Sequence, residues 1–309
     1  MLWHLGALAN VKGCLPNKNY EVVQVLVGRP DERRPMAVPT DKYDYMAALL
    51  RRKRQWELSG VDSLVEGLDD PRWKGLPPPD PTSTFVDVGA NLGVWTMNFA
   101  HRGHSVLAVE PMARNRAALQ ATLCLNPDLA PRVKVVAAAL GSPEEMSGDT
   151  ACALRAQRLI NEGDGMLDCG VGVSCNATRL NPPKQMLRRR QGKTGGSMKL
   201  SEWLALPCED VPMLTLARVL VDGLAHGARV GVMKIDAEEH ECAVLSGADF
   251  SRPRWRPSLL ASEWNQPFVE QCFRAAGARW GYSHVNSSFT NAPKRNDRNE
   301  IMIDTRTAR

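Results

Sequence analysis

From Thr84 onward, apolar runs of strand length alternate with stretches of helical spacing. Thr84–Val88 is an uninterrupted run rich in β-branched residues, and Val94–His101 follows at helical periodicity. Ser105–Val109 is the next apolar strand, and a helix is expected from about Ala113 to Leu125. Arg132–Ala139 reads as a third strand. After a long interruption the pattern resumes with a helix at Leu214–Leu224, a strand at Val230–Ile235 and a helix at Glu241–Leu245. A strand at Pro257–Ser262 and a helix at Phe268–Ala276 follow, then two strand candidates, Gly281–Val285 and Glu300–Ile303. This alternation predicts an α/β protein with a Rossmann-like, doubly wound, mostly parallel sheet covered by helices on both faces. The closing helix, strand, loop and strand suit an antiparallel hairpin at the sheet edge.

Residues 1–40 read as irregular, because Pro16, Pro30, Pro35 and Pro39 interrupt any long element. From Asp41 to about Leu68 the pattern is helical, with Tyr45, Leu49 and Leu50 at three-to-four spacing. Pro71, Pro77-Pro78-Pro79 and Pro81 then form a stiff linker. The expected division is an N-terminal helical extension with its linker, 1–80, and an α/β domain, 81–309. The stretch 141–196, rich in Gly, Asn and Asp and without periodicity, reads as a loop-rich insertion.

The formal charge of +5 is too mild to argue for nucleic acid as a partner. No run approaches the roughly 18 apolar residues that span a bilayer, so no membrane span is expected in this chain. Met1–Ala9 is apolar but short and lacks a basic flank. The eight cysteines include no CxxC pair, and no metal site is expected. Cys152, Cys169, Cys175 and Cys208 fall in or beside the insertion, and two glycosylation sequons begin at Asn176 and Asn286. Together these favour the secretory lumen over the cytoplasm, with reduced cytosolic thiols as the alternative. A bridge between Cys152 and Cys169 is expected, because the glycine-rich segment between them is too polar to hold itself by a core.

The sharpest chemical signal is Phe85-Val86-Asp87-Val88-Gly89-Ala90-Asn91-Leu92-Gly93-Val94-Trp95-Thr96. A buried strand ends in an acid, a glycine-bearing turn and a helix N-terminus. Gly89 and Gly93 would let the backbone bend and approach a ligand without a Cβ in the way. Such a turn serves a dinucleotide or S-adenosylmethionine (SAM). Asn91 occupies the place of the glycine that admits a pyrophosphate, and Asp87 would repel phosphate while attracting an ammonium or sulfonium. SAM is therefore the expected cofactor, ahead of NAD. Val109-Glu110-Pro111 ends the next strand in a carboxylate, about 20 residues past the turn, where an acid accepts both ribose hydroxyls of a nucleoside. A third cluster, Lys234-Ile235-Asp236-Ala237-Glu238-Glu239-His240-Glu241, ends a later strand. Its acids read first as the acidic first turn of a helix. A catalytic role for Asp236 or Glu238 is the second reading, and a hard-cation site the third.

Taken together, Phe85–Thr96, Val109-Glu110-Pro111, Val133–Leu140, Lys234–Glu238, Val244–Ala248 and the tail from Phe268 to Tyr282 resemble the FkbM-type methyltransferase family. The resemblance spans roughly residues 80–285. It implies SAM-dependent methylation, usually of oxygen atoms on sugars or other hydroxylated metabolites. Carried over by position, Asp87, Gly89, Asn91 and Gly93 would line the methionine end of SAM, with Thr96 and Ala138 in the same cofactor set. Glu110 would hold the ribose, and Asp236 would face the transfer site. Two positions depart from the family pattern: Glu239 stands where glycine is usual, and Ala217 where an aspartate is usual.

Methyl transfer to a hydroxyl gains most from alignment of donor and acceptor, and a base that removes the hydroxyl proton adds to it. Asp236 is the first candidate, with Glu263 and Glu238 behind it. His240 is expected on the following helix, pointing elsewhere. The acceptor partner is expected to be a hydroxylated small molecule or a glycan. The alternative reading is a SAM- or nucleoside-binding protein that has lost transfer activity.

Overall fold

The computed structural model describes residues 13–27, 32–41, 44–56, 82–146, 150–157, 161–176, 205–238, 240–263, 267–285 and 299–304. The proline-rich linker, the sequon at Asn286 and Glu239 lie outside these residues. The chain enters through an antiparallel pair, β1 (Tyr20–Leu26) and β2 (Arg33–Pro39), followed by helix α1 (Tyr45–Lys53). The irregular segment expected before residue 40 is thus a β-ribbon. Its prolines are tolerated because each strand of a two-stranded ribbon has a free edge, where a missing N–H costs no ladder bond. Asp44 caps α1 by accepting from Ala47 N at 2.7 Å, and the helix stops where Arg54 turns left-handed. Residues 57–68 of the expected helical stretch lie outside the described residues.

Among the described residues seven strands form the central sheet, in the order β13 (Tyr282–Val285), β14 (Asn299–Asp304), β12 (Leu259–Glu263), β11 (Val230–Ile235), β3 (Thr84–Val88), β4 (Ser105–Val109) and β5 (Val133–Val136). Of these, β3 (Thr84–Val88), β4 (Ser105–Val109) and β5 (Val133–Val136) are joined through α2 (Val94–His101) and α3 (Ala113–Leu125). On the other side of β3 stand β11 (Val230–Ile235) and β12 (Leu259–Glu263), parallel to it. Helices α4 (Leu216–Gly223), α5 (Glu241–Ser246) and α6 (Pro267–Trp280) complete the covering layers. Every residue of β3 and β11 is buried, as expected for parallel strands covered on both faces. At the far edge, β13 (Tyr282–Val285) and β14 (Asn299–Asp304) are antiparallel, and β14 also runs antiparallel to β12. The fold is the expected Rossmann-like α/β sheet with an antiparallel edge. Because β4 and β11 flank β3 on opposite sides, strand order reverses there, and the crevice opens at the C-terminal ends.

Alternate residues of the central strands feed two cores. Phe85 stacks with Phe99 and packs with Trp95 and Leu119 on one face. That core also contains Val23, Val25, Met36 and Val38 of the ribbon and Leu50 of α1. The N-terminal extension therefore shares its core with the sheet. Ala37 N donates to Thr122 Oγ1 at 2.9 Å, and a Cys14–Cys124 disulfide fixes the chain ahead of β1 onto α3. On the opposite face Val86, Val88, Met233 and Ile235 pack against Leu216, Leu220 and Phe273.

The insertion differs most from expectation. The third strand stops at Val136, and Ala139–Leu140 (β6) pairs instead with Met213–Leu214 (β10). Between them β7 (Thr150–Gln157), β8 (Asn161–Val171) and β9 (Cys208–Val211) form a three-stranded antiparallel sheet. Composition hid this hairpin, because its glycines and acids break the alternation that marks a strand. One of those glycines lies close against its partner strand: a Cβ on Gly165 would come within 2.7 Å of Leu154 Cδ1. Cys152 and Cys169 face each other across the ladder and are bridged as expected, and Cys175 is bridged to Cys208. With Cys242–Cys272 the four bridges use all eight cysteines. Residues 177–196 of the expected insertion lie outside the described residues, and no helix among the described residues is long and apolar enough to cross a membrane.

Chain entropy ranks these bridges by the loop each closes. Removing Cys14–Cys124, with a separation of 110 residues, is expected to cost more than removing Cys152–Cys169, with a separation of 17. The paired Cys→Ser variants should lose about 4–5 and about 3 kcal/mol respectively. Denaturant titration of both variants checks the order, and a reversed order would show that local strain outweighs loop length.

Candidate active site

The turn after β3 owes its shape to the neighbouring strands. Gly89, Asn91 and Gly93 all have positive φ, at 74°, 51° and 87°. The amides of Gly89 and Ala90 both donate to Val109 O, folding the turn over the end of β4. A Cβ on Gly89 would overlap the backbone carbonyl oxygen of Asp236, so glycine is required there by the strand beside it. A Cβ on Gly93 would run into Leu119, so this glycine serves the packing of α2 on α3. Each glycine thus has a packing reason of its own, independent of ligand approach.

Beneath the turn lies a nearly closed charge cluster. Lys234 and Asp87 are register partners on β11 and β3, and Lys234 Nζ is 3.8 Å from Asp87 Oδ1. The same ammonium donates to Gly89 O at 3.2 Å and lies 3.2 Å from Asp236 Oδ2. Thr96 Oγ1 donates to Asp87 Oδ2 at 2.6 Å. Burial pushes the Asp87 carboxyl up, against the opposing pull of Lys234 and the Thr96 hydrogen bond. Asp87 and Thr96 thus brace the turn from below and do not line the cleft above it, as had been expected of them. Lys234 carries a role that the sequence reading passed over. Its signal was a lone cation inside the otherwise apolar run of β11.

Glu110, just past β4, is 3% exposed. Its Oε2 accepts from Asn91 N at 2.8 Å and its Oε1 from Met112 N at 2.9 Å. These bonds favour the carboxylate, but burial outweighs them and raises the pKa to about 7.

All of this borders one cleft of about 670 Å³, measured to its open mouth. Of the residues expected at the cofactor site, Gly89, Asn91, Glu110 and Ala138 line it, while Asp87, Gly93 and Thr96 do not. Asp236 and Glu238 stand in the opposite wall, and Glu263 is not part of the lining. Ala138, Ala139 and Leu140 make an apolar shelf. Leu154 and Leu167, opposed across β7 and β8, form a roof together with Gly165. His240 also lines the cleft, contrary to the expectation that it points away. Glu238 adopts φ 51° and α5 begins only at Glu241, so the short loop brings His240 back to the wall. Its Nε2 lies 3.2 Å from Glu145 Oε2. Ala217, the other departure from the family pattern, packs in the second core and donates its N–H to Gly247 O.

A sequence model described as the methyltransferase FkbM domain matches residues 87–295. No curated protein matches the chain. Among solved structures, the METTL16 MTase domain is similar at 10% identity and a TM-score of 0.38, covering 79% of this chain and 64% of that one. The chain thus spans less than two thirds of that domain's length. Precorrin-6y C5,15-methyltransferase from Geobacter metallireducens is similar at 10% identity and a TM-score of 0.38, covering 81% of this chain and 88% of that one. The sequence model takes in well over half of the 309 residues, from Asp87 through Glu110 to Asp236, and the chain belongs to the FkbM methyltransferase domain family.

Proposed function

We propose that this methyltransferase uses SAM and methylates a hydroxyl group on a small molecule or sugar. The observation that carries the reading is the convergence of three strand ends on one cleft: the Gly89 turn, Glu110 and Asp236. Such a crevice at a switch point is where open α/β sheets bind ligands. The lining chemistry fits the cofactor's parts as well. Glu110 offers acceptors for a ribose diol, and the shelf at Ala138–Leu140 offers apolar contact to a purine. When bound, SAM supplies a methyl group on a cationic sulfur that leaves as a neutral thioether.

The chain's own residues would provide placement. Lys234 engages Asp236 Oδ2, so the carboxylate is held in one direction and Oδ1 is left to accept the acceptor's hydroxyl hydrogen. The β7–β8 roof would exclude water from the transfer site. The four disulfides fit maturation in an oxidising compartment such as the secretory lumen.

Glu110 gives this reading a pH signature. An unfolded glutamate ionises near 4.5, whereas the folded one keeps its proton to about 7. Stability of the ligand-free protein therefore falls across that interval as pH rises, since the folded state binds the extra proton. Ribose hydroxyls donate best to the ionised form, so SAM binding should release a proton near neutrality and tighten from pH 6 to 8. Calorimetry in buffers of different ionisation enthalpy reads this directly. Glu110→Ala should weaken SAM and S-adenosylhomocysteine alike, by about 1.5–3 kcal/mol. A loss confined to SAM would mean that Glu110 senses the sulfonium and not the ribose.

Asp236→Asn keeps the shape of the side chain and removes its charge. Turnover with labelled SAM and a hydroxylated acceptor should drop about 10²-fold through lost orientation of the hydroxyl, while cofactor affinity changes little. Near-normal turnover would remove Asp236 from the transfer site. SAM binding by the wild type without transfer to any hydroxylated acceptor would make the chain a binding protein.

A further inference from the structure

We propose that His240 and Glu145 form the proton-accepting pair of the transfer, with His240 Nδ1 taking the proton of the acceptor hydroxyl. The inference rests on the methyltransferase reading above. His240 stands in the same cleft wall as Asp236 and Glu238, and its side chain is 14% exposed. Behind it, Glu145 is fixed before any ligand arrives. Ser142 N donates to Glu145 Oε2 at 2.9 Å and Glu145 N donates to Ser142 Oγ at 3.2 Å, the reciprocal bonding of a capping box. Gly141 leaves room for this arrangement, since a Cβ there would lie 2.8 Å from the same Oε2. That oxygen is the one 3.2 Å from His240 Nε2.

The pairing selects a tautomer. Nε2 is buried 3.2 Å from this carboxylate oxygen without an aligned hydrogen bond. A proton on Nε2 spares the ring from facing the carboxylate with a lone pair, and so leaves the lone pair of the neutral ring on Nδ1. The neighbouring His240 ring in turn holds the Glu145 carboxyl below the usual carboxylate range, with burial opposing it. Glu145 is therefore ionised where it would have to balance an imidazolium. This is the third-group orientation of a base seen wherever a histidine accepts a proton in acyl transfer.

The step balances without another reactant. The acceptor oxygen forms its bond to the methyl carbon as the carbon–sulfur bond breaks, with that electron pair remaining on sulfur. The hydroxyl proton moves to Nδ1 of His240, and Glu145 carries the countercharge. Asp236, tied by Lys234, orients the hydroxyl. His240 touches the reacting group, and Glu145 is a positioning residue acting through it.

The test uses the full chain with labelled SAM and a hydroxylated acceptor that the wild type methylates. His240→Ala should lower kcat by about 10²–10⁴-fold with SAM affinity unchanged by calorimetry, and added imidazole should restore part of the rate. The side chain makes no helix-capping bond, so the variant is expected to fold. Glu145→Gln should lower kcat by about tenfold or more with little change in KM, because the amide nitrogen favours the opposite tautomer. Independently of activity, imidazole ¹⁵N shifts of the ligand-free protein should place the proton on Nε2 in the wild type and on Nδ1 in Glu145→Gln. Undiminished kcat in His240→Ala, or a wild-type ring protonated on Nδ1, overturns the pair while leaving the methyltransferase reading intact. Wild-type protein that binds SAM and transfers to no hydroxylated acceptor overturns that reading and the pair with it.

Discussion

Between β3 and β11, the buried ammonium of Lys234 joins the buried Asp87 to Asp236 at the edge of the cleft. Lys234 reaches Asp87, Asp236 and the Gly89 carbonyl at once. A lone charge at this depth would cost several kcal/mol, and removing one partner of such a group strands the others. The cluster therefore acts as a lock on geometry more than as a source of stability. It fixes the direction of Asp236, and it keeps the Gly89 turn seated on the end of β11, where no side chain fits between the two backbones. The positions of the cleft's two walls follow from that one contact.

The remaining walls are held by other means. Met112 packs with Cys152, Leu154 and Val211 in a small core of its own, which joins the inserted sheet to the start of α3. Glu209 on β9 accepts from Ala113 N at 2.8 Å and so answers one of the unpaired amides at that helix N-terminus. The Cys152–Cys169 bridge crosses the hairpin beside Leu154 and Leu167, the two leucines that roof the cleft. A polar, glycine-rich segment can thus present a rigid apolar ceiling without a large core beneath it.

Glu110 illustrates how the same burial that shapes the site also tunes it. Two backbone amides hold its carboxylate in place, yet desolvation keeps it near half-protonated at neutrality. A ligand bringing hydroxyl donors would complete its hydrogen bonding and shift it to the charged form. The side chain is preorganised in position but held short of full ionisation, and the binding free energy from hydroxyl donors depends on that difference.

The mostly parallel sheet, its antiparallel edge and the strand ends that meet at the cleft were largely legible from the chain. Largely apolar runs with an acid at or just past one end define β3, β4 and β11, and parallel topology brings those ends together at the switch point. What the residues do there was less legible. Asp87 and Gly93 look like ligand contacts in sequence because a glycine turn after an acid is the local signature of such a site, but only Gly89 and Asn91 of that turn line the cleft. The neighbours of Asp87, Gly89 and Gly93, which are Lys234, Asp236 and Leu119, are brought by other elements, and only packing reveals them. The hairpin at β7–β8 lacked alternation because its glycines make room for side chains from other elements and a cystine takes the place of apolar pairs. His240 and Glu145 belong to separate loops, and no spacing rule links them. Local pattern determined where the chain would place its chemistry. Contacts between residues distant in sequence decided which groups face the cleft and which only hold it open, because charge, burial and steric exclusion act through space and leave no period in the sequence.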